Sequence, residues 1–424
     1  VVGWGAGHYI KKKFKIFLNL GGGGGPHNPH KPGPPPPLHT KVKDLSECRK
    51  EIDEIDSQLL ELLERRIRVA ESVARYKIEN DMKVFDEGRE RAVLEDVAAR
   101  CPEDVRAEIA GTFDGIMNMS KLHQYRLKSK SSPSRKFFSD ALKPVRERGT
   151  AYLYVGVQGV PGAYSEMSAR RLYPEAHIEF YPDFAGIFEA LKRGDIDFGV
   201  LPVENSTYGS VTDVYRLIID NDAYIAASDR LRVEHCLLGL PGVTVDEIRE
   251  VTSHPQALGQ CAGYISAHGF TETAAANTAV AAEKVAKSGR RDLAAIARVD
   301  CAENYGLQII EKGIQDEPHN TTRFVSISNR LSIPSGADKI SIRFSLEHRQ
   351  GTLARILGYF AALGLNLTKL ESRPIPSKPF NYLFYIDFVG SMRDEAVFDL
   401  VCALNDELAE FRFMGNYHEY ENDK

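Results

Sequence analysis

The chain has 424 residues, 43% of them hydrophobic and 27% charged, and its formal net charge is −5. One hydrophobic core rarely serves a chain of this length, so we expect two or three domains, and a net negative charge argues against nucleic acid as a partner. No apolar run reaches the roughly 20 residues of a membrane span. Six scattered cysteines without a CxxC pair predict neither a metal site nor a disulfide framework, and they favour a cytoplasmic location.

Residues 1–43 contain two stretches that cannot pack a core, the glycine run 21–25 and the proline run 34–37. Such composition is typical of flexible segments. We therefore predict a disordered tail over residues 1–43 and assign it no function.

Residues 44–125 carry apolar side chains at helical spacing. From Asp44 to about Asn80 the pattern predicts one helix of about 35 residues, or roughly 50 Å at 1.5 Å per residue. Two more helical stretches follow, so this domain is predicted to be all-α. A helix of that length is too long for a lone small domain, and we expect it to bury its apolar stripe in a homodimer. Residues 126–150, rich in Lys, Ser and Arg, are predicted to form a flexible linker.

Charged residues interrupt the apolar stripe of the first helix at positions where burial would be costly. Arg66 and Lys77 lie about 20° out of phase, so both cations project from one face. Arg49 is turned about 80° away from Lys77, which suits a site in the partner subunit. Two interpretations follow. The charges form a site for an anionic substrate, or they are solvated charges of a helical dimerisation module.

The segment resembles the all-helical chorismate mutases over residues 44–124. The resemblance implies these site residues: Arg49, Arg66, Lys77, Asp86, Arg89, Glu90, Ser120 and Gln124. Chorismate has two carboxylates, which suit arginine forks, and its rearrangement needs a compact conformer and donors at the ether oxygen. We expect Lys77 and Gln124 to be those catalytic donors and the other six residues to bind substrate.

Residues 151–331 alternate short β-rich runs with helices, which predicts βαβ units in a two-lobed α/β domain with a cleft between the lobes. Ligands of such sheets bind at the carboxyl ends of strands. Two motifs fall at predicted strand ends, Glu204-Asn205-Ser206-Thr207 and His319-Asn320-Thr321-Thr322-Arg323-Phe324, and Ser253-His254-Pro255-Gln256 lies between them. Together they offer hydroxyls, amides and a guanidinium, which can hold a small dicarboxylate and protonate a leaving hydroxyl.

In this order the motifs strongly resemble prephenate dehydratase, which implies a two-lobed fold like that of periplasmic binding proteins. The resemblance implies that Thr322 is the essential hydroxyl and proton donor, and that Arg323 binds a carboxylate or orders the site. It implies substrate-binding roles for Glu204, Asn205, Ser206, Thr207, Ser253 and Gln260. Glu204 suits a salt-bridge anchor equally well, and His254 is expected to be structural because an X-Pro step often ends a strand.

The pattern over residues 338–418 predicts strand, helix, strand, strand, helix, strand, a ferredoxin-like α+β unit. It resembles an ACT domain, a module that binds amino acids at subunit interfaces. The resemblance implies a phenylalanine site formed by two motifs: Gly351, Thr352, Leu353 and Ala354 at a helix start, and Glu371, Ser372, Arg373 and Pro374 on a strand. Glycine lets backbone approach a ligand, and N–H groups at a helix start suit its carboxylate. The alternative is a constitutive dimerisation domain.

These resemblances imply a bifunctional enzyme that converts chorismate to prephenate and prephenate to phenylpyruvate, without a cofactor or metal, under feedback by phenylalanine. Arogenate is the alternative dehydratase substrate, and a non-catalytic two-lobed sensor is the alternative outside enzymes. A dehydrogenase fusion would need a dinucleotide fingerprint, which the spacing of Gly156, Gly159 and Gly162 does not give. Because residues 126–150 are predicted to be flexible, we expect the mutase to respond little to phenylalanine. We also expect dehydratase activity to survive truncation near Ser335.

Overall fold

The computed structural model describes residues 44–143, 153–349, 351–375 and 378–421. An all-α segment, a two-lobed α/β segment and an α+β segment follow one another, as predicted. The predicted disordered tail over residues 1–43 lies outside the described residues. The chain divides into two compact units, residues 1–63 and 64–424, and the division falls inside the first helix.

The N-terminal segment is helical because its apolar residues recur at helical spacing. Its elements are α1 (Leu45–Glu79), α2 (Glu87–Arg100), a 3-10 turn (Glu103–Val105) and α3 (Arg106–Ser129). The prediction of one long first helix is confirmed, since α1 has 35 residues. Many of its apolar side chains are exposed, among them Leu60 at 68% and Leu62 at 61%. The apolar stripe of α1 is therefore open to solvent over much of its length.

Residues 126–143 are mostly helical, so the prediction of a flexible linker is wrong for this part of 126–150. Helix α3 continues to Ser129, and α4 (Pro133–Ala141) follows with Ser132 as its N-cap. Phe138 of α4 is 1% exposed and makes edge-to-face contacts with Phe398 and Phe413. A proline at the helix start and an apolar anchor outweigh the polar composition that suggested a linker. Residues 144–150 lie outside the described part of the chain.

The first lobe of the α/β segment is built on a mixed sheet. Its elements are β1 (Tyr154–Gln158), α5 (Tyr164–Leu172), β2 (His177–Tyr181), α6 (Phe184–Arg193), β3 (Phe198–Asn205), β4 (Gly209–Ser210), α7 (Thr212–Asp220), β5 (Tyr224–Arg232) and, later in the chain, β11 (Thr321–Ser328). Strands β2, β1 and β3 are parallel, and β11 runs antiparallel between β3 and β5. The start of β11 therefore meets the carboxyl end of β3.

The second lobe is inserted between β5 and β11. Its elements are β6 (Cys236–Gly239), β7 (Glu250–Ser253), α8 (Pro255–Gln260), α9 (Ala262–His268), β8 (Thr271–Ala274), α10 (Thr278–Ser288), β9 (Leu293–Ala297), α11 (Asp300–Tyr305) and β10 (Gln308–Lys312). Its five strands lie in the order β10-β6-β9-β7-β8. The chain thus crosses between the lobes twice, from β5 to β6 and from β10 to β11. Two sheets joined in this way leave a cleft where their strand ends meet.

The C-terminal segment forms the predicted ferredoxin-like unit. Its elements are β12 (Lys339–Leu346), α12 (Thr352–Ala362), β13 (Leu367–Ile375), β14 (Lys378–Val389), α13 (Glu395–Glu407) and β15 (Arg412–Glu421). Its four strands lie in the order β13-β14-β12-β15, and β15 also pairs with β5 through residues 418–421. At this crossing a side chain on Gly415 would meet the carbonyl oxygen of Ile225 at 2.2 Å, so only glycine fits. The first lobe and this unit therefore share one continuous sheet.

The helical segment also packs against the C-terminal unit. Helix α3 contacts both α12 and α13. Tyr125 of α3 and Tyr359 of α12 form an edge-to-face pair with ring centroids 5.9 Å apart, and both are buried in the same apolar cluster as Phe138. Shared burial of this kind couples the helical segment to the C-terminal unit.

Candidate active sites

The predicted dehydratase site is organised around two residues at facing strand ends. Asn205 ends β3, Thr322 lies at the start of β11, and the two are paired in the ladder. Nδ2 of Asn205 donates hydrogen bonds to Oγ1 of Thr322 at 2.9 Å and to Oδ1 of Asn320 at 2.8 Å. Because Oγ1 of Thr322 accepts this bond, its own proton remains free for donation to a bound molecule. A general acid needs a proton that is free in this way.

Both ends of the Asn205 amide are occupied. Its Oδ1 accepts from the backbone N–H groups of Thr207 and Tyr208, each at 3.0 Å, and this fixes the orientation of the amide. The structure therefore gives Asn205 a positioning role in place of the predicted substrate contact. Ser206 and Thr207 are exposed beside it. Ser206 Oγ accepts from the Thr321 N–H at 2.9 Å, which leaves the Ser206 proton available to a substrate.

Glu204 and Arg323 are paired in the same ladder and point to the opposite face of the sheet. Arg323 is 5% exposed. Its guanidinium is held by three residues of the C-terminal unit: Asp387 Oδ2 at 2.5 Å, Tyr417 hydroxyl at 2.6 Å and Glu419 Oε1 at 2.9 Å. Glu204 Oε2 lies 3.3 Å from Nζ of Lys369, also in that unit. The predicted substrate contacts of both residues do not fit this geometry, whereas an ordering role for Arg323 and an anchor role for Glu204 do.

Two predicted site residues lie in the second lobe. Ser253 is fully buried, and its Oγ donates to the backbone oxygen of Ile296 at 2.5 Å, so it joins β7 to β9 and does not face a substrate. Gln260 is half-buried at the end of α8, and its Oε1 lies 2.7 Å from Nε2 of His235. Burial lowers the pKa of His235 although the bond to Gln260 opposes the shift, so the ring is neutral and donates from Nε2. The amide nitrogen of Gln260 is then the end left for a substrate.

Contacts between the lobes bring these two groups of residues to face each other. A side chain on Gly259, next to Gln260, would lie 3.8 Å from the hydroxyl of Tyr208, which follows the Asn205 turn. Tyr164 at the start of α5 donates from its hydroxyl to the Glu234 carbonyl at 3.0 Å, at the crossing between the lobes. The turn after β3 and the end of α8 therefore lie on facing sides of the boundary between the lobes.

Four predicted mutase residues lie on facing helices. Arg66 of α1 donates to the hydroxyl of Ser120 on α3, and burial lowers the pKa of Arg66. Lys77 donates from Nζ to the Val84 carbonyl at 2.6 Å. Gln124 shares a face of α3 with Ser120 and is 8% exposed, and its Oε1 has no hydrogen-bond partner within the described ranges. The structure thus places the Arg66 guanidinium against the face of α3 that carries Ser120 and Gln124.

The other four predicted mutase residues lie around the start of α2 or near the start of α1. Asp86 is the N-cap of α2 and accepts from the Arg89 N–H at 3.0 Å, so its predicted substrate contact competes with a cap. Arg89 and Arg49 are exposed. Glu90 lies 2.8 Å from Nζ of Lys121 on α3. Arg89 and Arg49 are the two free to move toward an anion.

The two predicted phenylalanine motifs lie in different places: the first begins α12, and the second lies on β13 in contact with the first lobe. Gly351 has a φ of 82° at the start of α12, a conformation that favours glycine, and Leu353 packs against the core while Ala354 is exposed beside Thr352. Glu371 accepts from the Ser210 hydroxyl at 2.6 Å and pairs with Arg373 at 2.7 Å. Ser372 and Pro374 alternate with these residues along β13 and are exposed. The Glu371 motif thus touches the loop that follows Asn205.

Sequence reasoning missed three residues that hold site residues in place: His235, Asp387 and Lys121. Each is buried next to a predicted site residue. The partners come from separate segments of the chain, so no local spacing could pair them. Asn320 was visible inside the Thr322 motif, but its bond to Asn205 required the antiparallel ladder.

Within the described ranges, no cluster of three His, Cys, Asp or Glu side chains could hold a metal ion. No helix in those ranges is long and apolar enough to cross a membrane.

Comparisons with known proteins match three segments of the chain to three different families. Residues 48–125 match chorismate mutase type II, residues 155–332 match prephenate dehydratase and residues 340–406 match the ACT domain. Arogenate dehydratase/prephenate dehydratase 2, chloroplastic, of Arabidopsis thaliana is 40% identical over 62% of this chain and 72% of its own length. Arogenate dehydratase 2 of Petunia hybrida is 36% identical over 71% of this chain and 81% of its own length.

A solved structure shows the same fold. Prephenate dehydratase from Arthrobacter aurescens in complex with L-Phe superposes with a TM-score of 0.57 and 27% identity, covering 63% of this chain and 90% of that chain. The match agrees with the two-lobed and ferredoxin-like segments described above. The chain is therefore an enzyme of the prephenate and arogenate dehydratase family, with a chorismate mutase domain before its dehydratase domain and an ACT domain after it.

Proposed function

We propose that the chain rearranges chorismate to prephenate and then converts prephenate to phenylpyruvate, with phenylalanine as feedback effector. The observation that carries the proposal is the Asn205–Thr322 hydrogen bond, which leaves the Thr322 proton free beside the exposed hydroxyl of Ser206. A mutase segment and a dehydratase segment on one chain support consecutive reactions.

The dehydratase step consumes one proton and releases carbon dioxide and water. The electron pair of the breaking carbon–carboxylate bond forms the new ring double bond while the ring hydroxyl leaves as water. Thr322 protonates that hydroxyl, and the Asn205 N–H stabilises the negative charge that develops on Oγ1. Thr322 is half-buried, so solvent can return its proton. Ser206 and the amide nitrogen of Gln260 supply donors for the substrate carboxylates.

The mutase step needs no nucleophile. Arg66 offers a guanidinium for a chorismate carboxylate, and Lys77 and the Gln124 amide offer donors to the ether oxygen where negative charge develops. Lys77 donates one hydrogen bond, to the Val84 carbonyl, and its ammonium group has two further protons that it can offer to a substrate.

The mutase site is proposed to be completed in a homodimer. Apolar side chains along α1 are exposed, and Arg49 projects from the same helix. We expect Leu60→Glu to weaken the dimer and lower mutase activity, because Leu60 is 68% exposed on the apolar stripe. Sedimentation velocity measures this, and Glu61→Gln is the matched control. A dimer unchanged by Leu60→Glu would contradict the proposed interface.

Prephenate is proposed over arogenate because the mutase on the same chain would produce it. Arogenate is the second candidate, since the Arabidopsis and Petunia relatives are named for it. Arogenate carries an ammonium group where prephenate has a keto group, and an ammonium group needs an anion. Glu204, the carboxylate next to Asn205, is already paired with Lys369 on the other face of the sheet. This pairing supports prephenate.

Phenylalanine is proposed as the effector because the Arthrobacter relative was solved with L-Phe and the chain carries an ACT domain. A cytoplasmic location is proposed from the six cysteines, which are all free thiols. The chloroplast is the alternative, because the Arabidopsis relative is named chloroplastic.

A product assay on the purified full chain tests the function. Chorismate, prephenate and arogenate are supplied separately without added cofactor. We expect phenylpyruvate from the first two and a lower kcat/KM for arogenate. A higher kcat/KM for arogenate would reverse the proposed preference, and the absence of product from chorismate would refute the mutase.

A further inference from the structure

We propose that Lys121 is a positioning residue of the mutase site, and that helix α12 of the ACT domain holds it in place, so the regulatory domain acts directly on the mutase. This inference rests on the proposed mutase activity. It replaces the expectation, drawn from a flexible linker, that the mutase responds little to phenylalanine.

The first step is the pairing of Lys121 with a predicted substrate-binding residue. Nζ of Lys121 lies 2.8 Å from each carboxylate oxygen of Glu90. The Lys121 side chain is 4% exposed and that of Glu90 is 20% exposed. The ion pair lies between two helices and is largely shielded from solvent, so Lys121 fixes the direction of the Glu90 carboxylate. Because Glu90 keeps part of its surface open, it can still accept from a substrate hydroxyl.

The second step is the aromatic cage around the ammonium group. Lys121 Nζ lies 5.5 Å from the ring centroid of Phe85 and 5.8 Å from that of Tyr359. Burial lowers the pKa of Lys121, and Glu90 opposes the shift. Two aromatic faces attract a cation at these distances. One wall of the cage belongs to the mutase segment and the other to the ACT domain.

The third step is the set of contacts that α12 makes with the mutase segment along its length. This helix begins at the Gly351–Ala354 motif. Arg355 stacks on the Phe85 ring at 3.8 Å and pairs with Glu407 of α13 at 2.7 Å. A side chain on Gly358 would meet Nδ2 of Asn118 on α3 at 3.0 Å. Arg349, just before the motif, pairs with Glu87 at the start of α2 at 2.7 Å.

A shift of α12 therefore moves the surroundings of Phe85 and Lys121 together. These residues flank the start of α2, where Asp86, Arg89 and Glu90 lie. An effector that binds one position of α12 better than another changes the mutase through contacts already in place, because closely packed elements move as units.

The test uses the full chain with four variants. Lys121→Met keeps the stem and removes the charge, Lys121→Arg keeps the charge, Tyr359→Leu removes one wall of the cage, and Lys136→Met is the matched control at an exposed lysine. The measurements are mutase kcat and KM, dehydratase activity on supplied prephenate, and the mutase response to phenylalanine.

We expect Lys121→Met to lower mutase kcat/KM about tenfold or more, as loss of one buried charged partner typically does, and Lys121→Arg to recover most of it. Dehydratase activity should stay near the wild-type value and confirm folding. Tyr359→Leu should weaken the mutase response to phenylalanine. Mutase kcat/KM for Lys121→Met equal to that for Lys136→Met, or an unchanged phenylalanine response in Tyr359→Leu, would overturn the inference. A wild-type chain without mutase activity would overturn the proposed function and this inference with it.

Discussion

Thr322 and Arg323 are neighbours on β11 and point to opposite faces of the sheet. Asn205 holds Thr322 on one face, while Asp387 and Glu419 hold Arg323 on the other. Alternation of side chains along a strand makes this division unavoidable. One dipeptide thus connects the proposed proton donor to the ACT domain.

Thr322→Val tests the proton donor. Valine keeps the β-branched shape and removes the only proton that this position can donate. Loss of a general acid typically costs about 10²–10⁴-fold in rate. We expect prephenate to accumulate when the variant is given chorismate, as measured by chromatography over time. Thr321→Val is the control, since its hydroxyl donates to the His319 carbonyl. Rapid phenylpyruvate formation by Thr322→Val would place the acid elsewhere.

Asp387→Asn tests the buried link between the dehydratase and the ACT domain. Burial opposes ionisation of Asp387, but Arg323 and Ser341 outweigh it, so the pKa of Asp387 is lowered. Removing this charge leaves Arg323 partly unpaired, which typically costs about 3–5 kcal/mol. We expect a lower urea midpoint and a lower dehydratase kcat. Asp338→Asn, in an exposed pair with His418, is the control and should change stability by about 1 kcal/mol or less.

The same contacts change the expected effect of truncation near Ser335. Such a chain would lose Asp387, Tyr417 and Glu419 together, and with them the pairing of β15 to β5. We therefore expect the truncated protein to lose most of its dehydratase activity and to melt at a lower temperature than the full chain. Full activity in the truncated protein would show that Arg323 does not need these partners.

Much of the fold follows from local patterns in the sequence. Helical spacing predicts α1 with its full length, and the alternation of strands and helices predicts the two lobes. The linker prediction is wrong for residues 126–143, because composition favours a loop there, whereas Pro133 starts a helix and Phe138 reaches an apolar core formed by distant residues. Local composition carries no information about that core.

The candidate sites also contain some residues that local motifs predict and others whose place depends on long-range pairing. Thr322 and Ser206 were predicted from motifs, and the structure leaves a free proton on each. Whether Arg323 faces the substrate or the ACT domain depends on strand register, which a motif does not contain. Ser253 was predicted to bind substrate and is instead buried against Ile296. Pairings between distant strands determine which way Arg323 and Ser253 face.

Ser210→Ala tests the contact between the Glu371 motif and the dehydratase loop. Ser210 Oγ donates to Glu371 at 2.6 Å and accepts from Lys369 at 2.7 Å. Loss of both bonds frees the loop after Asn205 from the regulatory motif. We expect the phenylalanine concentration for half inhibition to change about fivefold or more, a typical coupling magnitude. Dehydratase assays across a phenylalanine titration measure this, with Ser288→Ala in α10 as control. Superimposable curves for the two variants would contradict the coupling.

His235→Gln tests the pairing that orients Gln260, and it gives a pH signature. Burial lowers the pKa of His235 below its ordinary value of about 6.5. The unfolded chain therefore binds a proton more readily than the folded one, so the stability that neutral His235 contributes is present above about pH 6.5 and lost as pH falls below it. Each unit of lowering corresponds to roughly 1.4 kcal/mol.

Glutamine can donate to Oε1 of Gln260 as the neutral ring does, but it takes up no proton. We expect His235→Gln to lose less stability than the wild type between about pH 6.5 and pH 5, as measured by urea unfolding at each pH. Its dehydratase kcat/KM should also fall less steeply over that interval, because no positive charge then forms beside the Gln260 amide. The control is His268→Gln, an exposed histidine in α9, which should follow the wild-type curve. If stability and kcat/KM fell with pH in the same way for His235→Gln and the wild type, another group would control the loss of stability and activity at low pH.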